Sequence, residues 1–203
     1  MNIEQEVKSS ALAVLEAEAE AIKMLVFSVD QQFVNAVAAV LGCSGRLVVT
    51  GVGKSGHIAG KIASTLASTG TPAFFVNAAE ASHGDMGMIR PGDVVLALSN
   101  SGETKEVVVL LPLIERMKIP LIAITGNSES TLAQFSDFHM VVPGEELACP
   151  FGLAPMSSTT AMLSLGDAFA VAILEKRGFS PEQFALSHPG GALGKKLILR
   201  VKD

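Results

Sequence analysis

The fold of this chain is decided by residues 94–104, which read Val94-Val95-Leu96-Ala97-Leu98-Ser99-Asn100-Ser101-Gly102-Glu103-Thr104. The apolar half, Val94–Leu98, is typical of a strand buried on both faces of a parallel sheet. The polar half, Ser99–Thr104, is called the serine loop below and precedes a stretch with helical spacing. A strand that leads into a helix in this way leaves backbone N–H groups unpaired at the helix start, and such groups attract anions. The alternative is an ordinary capped helix, because Ser and Thr cap many helices.

Four further apolar runs of similar length indicate a sheet of five strands. The predicted strands are Leu47–Thr50, Ala73–Val76, Val94–Leu98, Leu121–Thr125 and Met140–Val142. Helices are predicted at Ile3–Val29, Phe33–Leu41, Gly56–Leu66, Thr104–Met117, near Thr131, and at Ser158–Arg177. Uniformly apolar strands that alternate with helices predict a parallel sheet covered on both faces. We therefore expect an α/β fold of three layers, αβα, with a five-stranded parallel Rossmann-like sheet and additional N-terminal helices.

Length and composition limit the classes of protein to which the chain can belong. With 203 residues, 49% hydrophobic and 17% charged, it is long enough for one α/β domain spanning residues 1–203. The low share of charged residues suggests that part of the surface is buried between subunits. A net charge of −5 and the lack of Trp and Tyr argue against nucleic-acid binding, which uses basic patches and stacking rings.

Nothing in the sequence predicts export or a membrane anchor. The apolar runs are strand-sized and interrupted, so no segment is expected to span a membrane. The start of the chain, Asn2–Glu6, lacks the pattern of a signal peptide. Cys43 and Cys149 show neither metal-ligand spacing nor a reason to pair. We expect a protein of the reducing cytoplasm.

Three segments at predicted helix starts carry residue types that hold phosphate groups. Gly51–Gly56 matches the dinucleotide pattern G-x-G-x-x-G, but Asn77 stands where that pattern expects an acidic residue. A nucleotide P-loop is disfavoured as well, because Val48 replaces its first glycine. The other two segments are the serine loop and Ser157–Thr160. Each alone is explained by helix capping, but together they predict a ligand that bears a phosphate.

Few side chains are candidates for acid–base chemistry. His83 lies in a polar cluster after the second strand, and His188 lies in a turn that a proline and two glycines make rigid. Glu106 follows the serine loop in the first turn of a helix, where a carboxylate also has a structural use in offsetting the helix dipole. His57 and His139 are expected to be structural. The spacing of histidines and acids gives metal chemistry little support.

Five strings of sequence together resemble one family. GVGKSG, AEASHGDMGMI, LSNSGETKE, LAPMSSTTA and ALSHPGGALGKKL resemble the sugar isomerase (SIS) domain of D-arabinose 5-phosphate isomerases, in the right order from about Gly51 to Val201. The serine loop is common to SIS proteins, including regulators that only sense sugar phosphates, whereas AEASHGD and ALSHPGG select the isomerases. The resemblance implies interconversion of D-ribulose 5-phosphate and D-arabinose 5-phosphate, the first step toward the Kdo sugar of lipopolysaccharide. It also implies a homotetramer that needs no added cofactor and that zinc inhibits.

The resemblance also assigns residues to roles. The functional positions of the family match Lys54, His83, Glu106 and His188. Its phosphate-binding positions match Ser55, Ser99, Ser101, Thr104, Ser157, Ser158 and Thr159.

Two features depart from the family pattern. Leu147 stands where the family usually has a glutamate directly before Ala-Cys-Pro. Either Glu146 supplies this additional carboxylate after a small register change, or the carboxylate is not essential. Full-length members usually continue into a pair of CBS regulatory modules, so the chain is expected to be the catalytic domain alone.

The implied reaction moves a proton between C1 and C2 of the sugar through an enediol(ate), which requires a base, a proton source and charge stabilisation. Glu106 is the predicted base, Lys54 stabilises the oxyanion, and His188 moves protons at O1 and O2 or opens the sugar ring. Glu106 and His188 could exchange these roles. The alternatives are a non-catalytic sugar-phosphate sensor and an isomerase for another sugar phosphate. A nicotinamide oxidoreductase is disfavoured by the missing ribose-binding acid.

Overall fold

The predicted strands form one parallel sheet in a computed structural model that describes residues 2–144, 148–149 and 151–187. In chain order the elements are α1 (Ile3–Met24), α2 (Gln31–Leu41), β1 (Leu47–Gly51), α3 (Gly53–Ser68), β2 (Ala73–Asn77), α4 (Ala78–Ala81), β3 (Val94–Leu98), α5 (Lys105–Val108), α6 (Leu111–Arg116), β4 (Leu121–Thr125), α7 (Thr131–Phe135), β5 (Phe138–Val141), α8 (Ser157–Arg177) and α9 (Pro181–Ser187). Two 3-10 turns, Leu25–Ser28 and Asp85–Met88, follow α1 and α4.

The strand order of the sheet is β2-β1-β3-β4-β5, and all neighbouring strands are parallel. The three inner strands are buried along their whole length because helices cover both faces. The order 2-1-3-4-5 is that of a doubly wound sheet. The predicted three-layer αβα fold with N-terminal helices is therefore confirmed.

Successive strand residues alternate between two hydrophobic cores, one on each face of the sheet. In β1, Leu47 and Val49 belong to the core under α2, α3 and α8. Val48 lies between them in the chain and belongs to the core under α4, α5, α6 and α7. In β3, Leu96 and Ala97 divide between the two cores in the same way. This alternation holds the sheet between its two helical layers.

The connections open a crevice between the carboxyl ends of β1 and β3. From β1, α3 crosses one face of the sheet to reach β2, whereas α5 and α6 leave β3 and cross the other face to reach β4. Helices that leave neighbouring strands toward opposite faces mark a topological switch point, and open α/β sheets bind ligands there.

The helix α8 begins at the same edge of the sheet as this crevice. A Cβ atom on Gly166 of α8 would lie 2.3 Å from Cδ1 of Ile62 of α3, so these two helices pack closely. A Cβ atom on Gly70, just after α3, would lie 2.3 Å from Cδ2 of Phe179, just after α8. The two helices therefore end together, and Ser157 begins α8 at the carboxyl edge.

The expectation that all apolar runs are strand-sized is wrong for the segment that forms α8. Among the described residues, α8 is long and apolar enough to cross a membrane by length and composition, with 21 residues and a mean hydropathy of 1.4. Residues 3–28 and 31–41 pass the same test as one span bent by 77°. In this fold Met162, Leu165 and Phe169 of α8 are buried in the protein core. That no segment spans a membrane stays a prediction.

The helix predicted at Thr104–Met117 is broken into α5 and α6. Pro112 has no N–H to donate to the carbonyl of Val108, and its ring crowds that carbonyl. The N–H of Leu113 instead donates to the carbonyl of Leu110 at 3.1 Å. The proline therefore limits α5 to a single turn.

Other predicted boundaries also differ from the structure, and α3, for example, runs over Gly53–Ser68 rather than Gly56–Leu66. The first helix ends at Met24 and continues as a 3-10 turn rather than running to Val29. The last strand is Phe138–Val141 rather than Met140–Val142. It begins early because Asp137 and Leu121 exchange hydrogen bonds: the N–H of Asp137 donates to the Leu121 carbonyl at 2.9 Å, and its carboxylate accepts from the Leu121 N–H at 2.8 Å.

Candidate functional site

The serine loop folds so that two of its hydroxyl groups meet. Ser99 Oγ lies 2.8 Å from Thr104 Oγ1 and accepts a hydrogen bond from the N–H of Gly102 at 3.1 Å. Gly102 permits this turn because its φ is +68°, in the region that favours glycine. Ser101 is exposed, and its Oγ accepts from the N–H of Glu103 at 3.2 Å. The loop therefore gathers three predicted phosphate-binding residues.

Unpaired backbone N–H groups lie at the helix starts on both sides of the crevice. Within the part of the chain that the structure describes, the N–H groups of Thr104, Lys105 and Glu106 have no acceptor, nor do those of Lys54 and Ser55 in the first turn of α3. Such groups form an anion site. Because α5 is a single turn, its attraction for an anion comes from these local N–H groups, whereas α3 adds the dipole of a 16-residue helix.

Glycines bring the backbones of β1, β3 and α3 close together at the crevice. Gly53 begins α3 with φ of +59°, which glycine adopts without strain. A Cβ atom on Gly51 would lie 3.1 Å from the carbonyl oxygen of Leu98, and one on Gly56 would lie 3.1 Å from the carbonyl oxygen of Gly51. The first turn of α3 therefore starts directly beside the strand that leads into the serine loop.

Lys54, Glu106 and His83 lie at one edge of the sheet. Lys54 is in the first turn of α3, Glu106 is in α5, and His83 follows α4, which leaves β2. The three strands that precede these helices are neighbours, and β1 and β2 end in register, with Gly51 opposite Asn77. All three side chains are exposed in the single chain. An amine, a carboxylate and an imidazole at one rim can donate, accept and move protons.

The hydroxyl cluster at the start of α8 lies at the same edge but is more buried. Ser157 Oγ accepts from the N–H of Ala148 at 3.2 Å, and Thr159 Oγ1 donates to the carbonyl of Met156 at 3.0 Å. Ser158 is only 9% exposed. In this arrangement the hydroxyls of Ser157 and Thr159 stabilise the entry into α8. Their contact with a phosphate stays a prediction.

Two of the predicted site residues, His188 and Glu146, lie outside the described residues, as does Leu147. Their roles stay predictions. Within residues 2–144, 148–149 and 151–187, no group of three or more His, Cys, Asp or Glu side chains is arranged to hold a metal ion. The expectation that neither metal nor cofactor takes part likewise stays a prediction.

Sequence reasoning missed the contacts that join the serine loop to the start of α7. The carboxylate of Glu103 accepts hydrogen bonds from the backbone N–H of Thr131 at 2.6 Å and from its hydroxyl at 2.9 Å. Ser130 packs against Gly102. The hydroxyl residues after the fourth strand were a visible signal of a capped helix. Their proximity to Glu103 follows only from the pairing of β3 with β4.

His139 supports the loop that follows β4. Its Nε2 lies 2.8 Å from Thr125 Oγ1, which also donates to the carbonyl of Asn127 at 2.9 Å. Partial burial lowers the pKa of His139 below its ordinary value, although a hydrogen bond with the backbone of Thr125 and the charge of Asp30 act in the opposite direction. This position fits the structural role expected for His139.

Cys43 and Cys149 are free thiols, as expected. Cys43 Sγ donates to the carbonyl of Gly92 at 3.1 Å. The N–H of Ala154 lies 3.4 Å from Cys149 Sγ and, with the neighbouring N–H of Phe151, lowers the pKa of the Cys149 thiol, because amide donors stabilise a thiolate.

Comparison with known proteins shows relatives that match most of this chain. Arabinose 5-phosphate isomerase KdsD of Yersinia pestis is 55% identical over 190 residues, which are 94% of this chain and 58% of the relative. The protein of the same name from Pseudomonas aeruginosa is 57% identical over 194 residues, which are 96% of this chain and 60% of the relative. The chain thus spans less than two thirds of the length of these curated relatives.

A solved structure and a family profile agree with these relatives. The c3406 protein of E. coli CFT073, solved in complex with arabinose 5-phosphate, has a TM-score of 0.88 and 41% identity to this chain, covering 93% of this chain and 100% of that one. The profile of the SIS domain matches residues 40–172, which include β1 to β5 and most of α8. Since this match covers most of the sequence, the chain belongs to the SIS domain family.

Proposed function

We propose that this chain is the isomerase domain of an enzyme that interconverts D-ribulose 5-phosphate and D-arabinose 5-phosphate through an enediol(ate). The observation that carries the proposal is the position of the serine loop and the first turn of α3 at the ends of the neighbouring strands β3 and β1, beside one crevice. The relatives named arabinose 5-phosphate isomerase, at 55% and 57% identity, and the solved structure with bound arabinose 5-phosphate, at 41%, support this choice of substrate.

The phosphate of the sugar binds at the serine loop. The hydroxyls of Ser99, Ser101 and Thr104 lie on this loop, and the N–H groups of Lys105 and Glu106 are without an acceptor among the described residues. Several donors together hold a dianion without a dedicated cation. Ser55 and the cluster Ser157–Thr159 complete the phosphate site in this proposal. Anchoring the phosphate holds C1 and C2 in a fixed position and lowers the entropic part of the barrier.

The reacting end of the sugar lies toward Glu106 and Lys54. Glu106 removes a proton from C1 of the ketose and returns it to C2, and Lys54 stabilises the negative charge that develops on the enediolate oxygen. A positioned base contributes about 10²–10⁴ in rate. His188 moves the proton between O1 and O2 or opens the ring of the aldose, and His83 contributes a further polar group at the rim.

The domain assembles as a homotetramer in this proposal. The helix α1 buries none of its residues in the single chain. It exposes Ile3, Val7, Leu12 and Leu15, and Phe27 just beyond it is 72% exposed. Apolar surface of this kind marks an association site. Light scattering coupled to size-exclusion chromatography tests the assembly, and a monomer would contradict it.

The setting of the reaction is the cytoplasm, on the route to Kdo and lipopolysaccharide. This part of the proposal rests on the substrate and on the two cysteines, which are free thiols. Fractionation of the native cells, with detection of the protein in the soluble cytoplasmic fraction, tests it.

Proton NMR of D-ribulose 5-phosphate with the protein in deuterated water tests the activity. We expect one of the two C1 protons to exchange with solvent while resonances of D-arabinose 5-phosphate appear. Thermal stabilisation by a pentose phosphate without exchange would instead identify a sensor. Turnover of a hexulose or heptulose phosphate in preference to the pentose would identify an isomerase of another sugar phosphate.

A further inference from the structure

Glu103 joins two loops at the carboxyl edge of the sheet. Its Oε1 accepts a hydrogen bond from the backbone N–H of Thr131 at 2.6 Å, and its Oε2 accepts one from Thr131 Oγ1 at 2.9 Å. Thr131 is the first residue of α7, where the N–H has no partner inside the helix. A carboxylate 28 positions earlier in the chain therefore supplies the acceptor that this helix start lacks.

The neighbours of Glu103 strengthen the same junction. The carbonyl of Gly102 accepts from the N–H of Leu132 at 3.1 Å, and the carbonyl of Asn100 accepts from the N–H of Gly126 at 2.9 Å. A Cβ atom on Gly102 would lie 2.0 Å from Ser130 Oγ, so the backbone of the serine loop touches the connection between β4 and α7. The serine loop is thus held from outside, while its hydroxyls bond within it.

The charge of Glu103 needs an explanation at this position. A carboxylate beside a loop that attracts phosphate weakens that attraction through like-charge repulsion. Both oxygens of Glu103, however, accept hydrogen bonds from the first residue of α7, where a negative charge is favourable. The carboxylate of Glu103 therefore fastens the serine loop to the start of α7, and this pair of hydrogen bonds between Glu103 and Thr131 is called the clamp below.

We propose that Glu103 is a positioning residue for the phosphate end of the substrate. Its carboxylate holds the serine loop at the spacing in which Ser99, Ser101 and Thr104 contact one phosphate group. This inference rests on the proposed function, because it assigns a task to the same loop. Glu103 itself makes no contact with the substrate.

Glu103→Ala removes the clamp. We expect the dissociation constant of inorganic phosphate, measured by isothermal titration calorimetry, and the KM for D-ribulose 5-phosphate to rise by the same factor of about ten, with kcat changed less than threefold. Glu103→Gln keeps one oxygen to accept from Thr131 N–H and offers an NH₂ group to Thr131 Oγ1, so it should stay within about threefold of the wild type in both quantities.

Two further variants separate positioning from charge and from folding. Glu129→Ala removes an exposed carboxylate from the β4–α7 connection and should leave phosphate affinity unchanged. Thr131→Val removes one of the two bonds to Glu103 and should weaken phosphate binding about threefold, which provides the readout even if Glu103→Ala does not fold. A role in stability alone would lower the melting temperature while leaving KM and phosphate affinity unaltered.

The results that overturn the clamp differ from those that overturn the proposed function. Tighter phosphate binding in both Glu103→Ala and Glu103→Gln would show that Glu103 acts only as a repelling charge, and unchanged affinity in Glu103→Ala and Thr131→Val would show that the junction is not needed. A wild type that binds phosphate without isomerising D-ribulose 5-phosphate contradicts the proposed function only. A wild type that binds no phosphate at tens of millimolar overturns both.

Discussion

The hydroxyl oxygens of Ser99 and Thr104 lie 2.8 Å apart, although the two residues stand at opposite ends of the serine loop. The contact closes the loop, and Ser99 also accepts a hydrogen bond from the N–H of Gly102. Ser99 is only 2% exposed, whereas Thr104 is half-buried. The shape of the loop therefore depends on a buried hydroxyl, and removal of this one oxygen tests the proposed phosphate site.

Ser99→Ala is expected to raise the KM for D-ribulose 5-phosphate about tenfold or more, because Thr104 loses its partner and the phosphate loses a donor. Steady-state kinetics measure the effect, and thermal melts report folding. Ser136→Ala is the matched control, since its hydroxyl donates to the carbonyl of Ala133 at the end of α7. An unchanged KM in a folded Ser99→Ala would remove this serine from the phosphate site.

Glu106→Gln is expected to lower the rate at which one C1 proton of D-ribulose 5-phosphate exchanges with deuterated water by about 10²–10⁴, because an amide cannot act as the base. NMR integration of the C1 resonances over time measures this rate. Glu115→Gln, an exposed glutamate on α6, is the control and should exchange at the wild-type rate. Full exchange in Glu106→Gln would assign the base to another residue, such as His188.

Gly166→Ala is expected to destabilise the protein by about 1–3 kcal/mol, because the added methyl would overlap the buried side chain of Ile62, whose Cδ1 is 2.3 Å away. Gly60→Ala on α3 is the matched control, since its Cβ would lie 3.9 Å from the ring of Phe75. That change should stabilise the helix by about 0.5–1 kcal/mol. Urea unfolding gives both values, and equal effects would contradict the close packing of α3 and α8.

His139 should make stability depend on pH. Burial lowers its pKa in the folded protein below the ordinary value of 6.5, so the unfolded chain binds more protons once the pH falls below that value. The free energy of unfolding should therefore fall as the pH decreases below 6.5, down to the folded pKa, and this loss is absent above 6.5.

Urea unfolding of the wild type and of His139→Gln at pH values on either side of 6.5 measures this effect. Removing the imidazole should reduce the loss of stability on acidification, because other titrating groups contribute to both proteins alike. An identical pH dependence in the two proteins would contradict the effect of burial on His139.

The strands of this fold could be predicted because burial on both faces is visible as an uninterrupted apolar run, as in Val94–Leu98. The short helix Ala78–Ala81 could not, since four residues are too few for a helical period to appear. The interruption of the predicted helix Thr104–Met117 before Leu111 could not be seen in the hydrophobic pattern, because apolar residues lie on both sides of it. Pro112 causes this interruption.

Some features of the candidate site could likewise be predicted from the sequence, and others could not. The placement of Ser99, Ser101, Thr104 and Glu106 at the carboxyl edge of the sheet could be predicted from the sequence, because they follow directly on a predicted strand, whereas their roles stay predictions. The junction of Glu103 with Thr131 could not, because the two residues are 28 positions apart and meet only where β3 pairs with β4.

The sequence by itself determined the five strands, most of the longer helices and the polar segments that follow the strands, since hydrophobic periodicity and turn chemistry are local properties of the chain. Only the tertiary structure decided which strands lie side by side in the sheet and which helices pack against each other. The order β2-β1-β3-β4-β5 brings α3 and α5 to opposite sides of one crevice, and the parallel packing of α8 on α3 brings Ser157 to the same edge. These contacts depend on how helices and strands fill space against one another, which no single segment encodes.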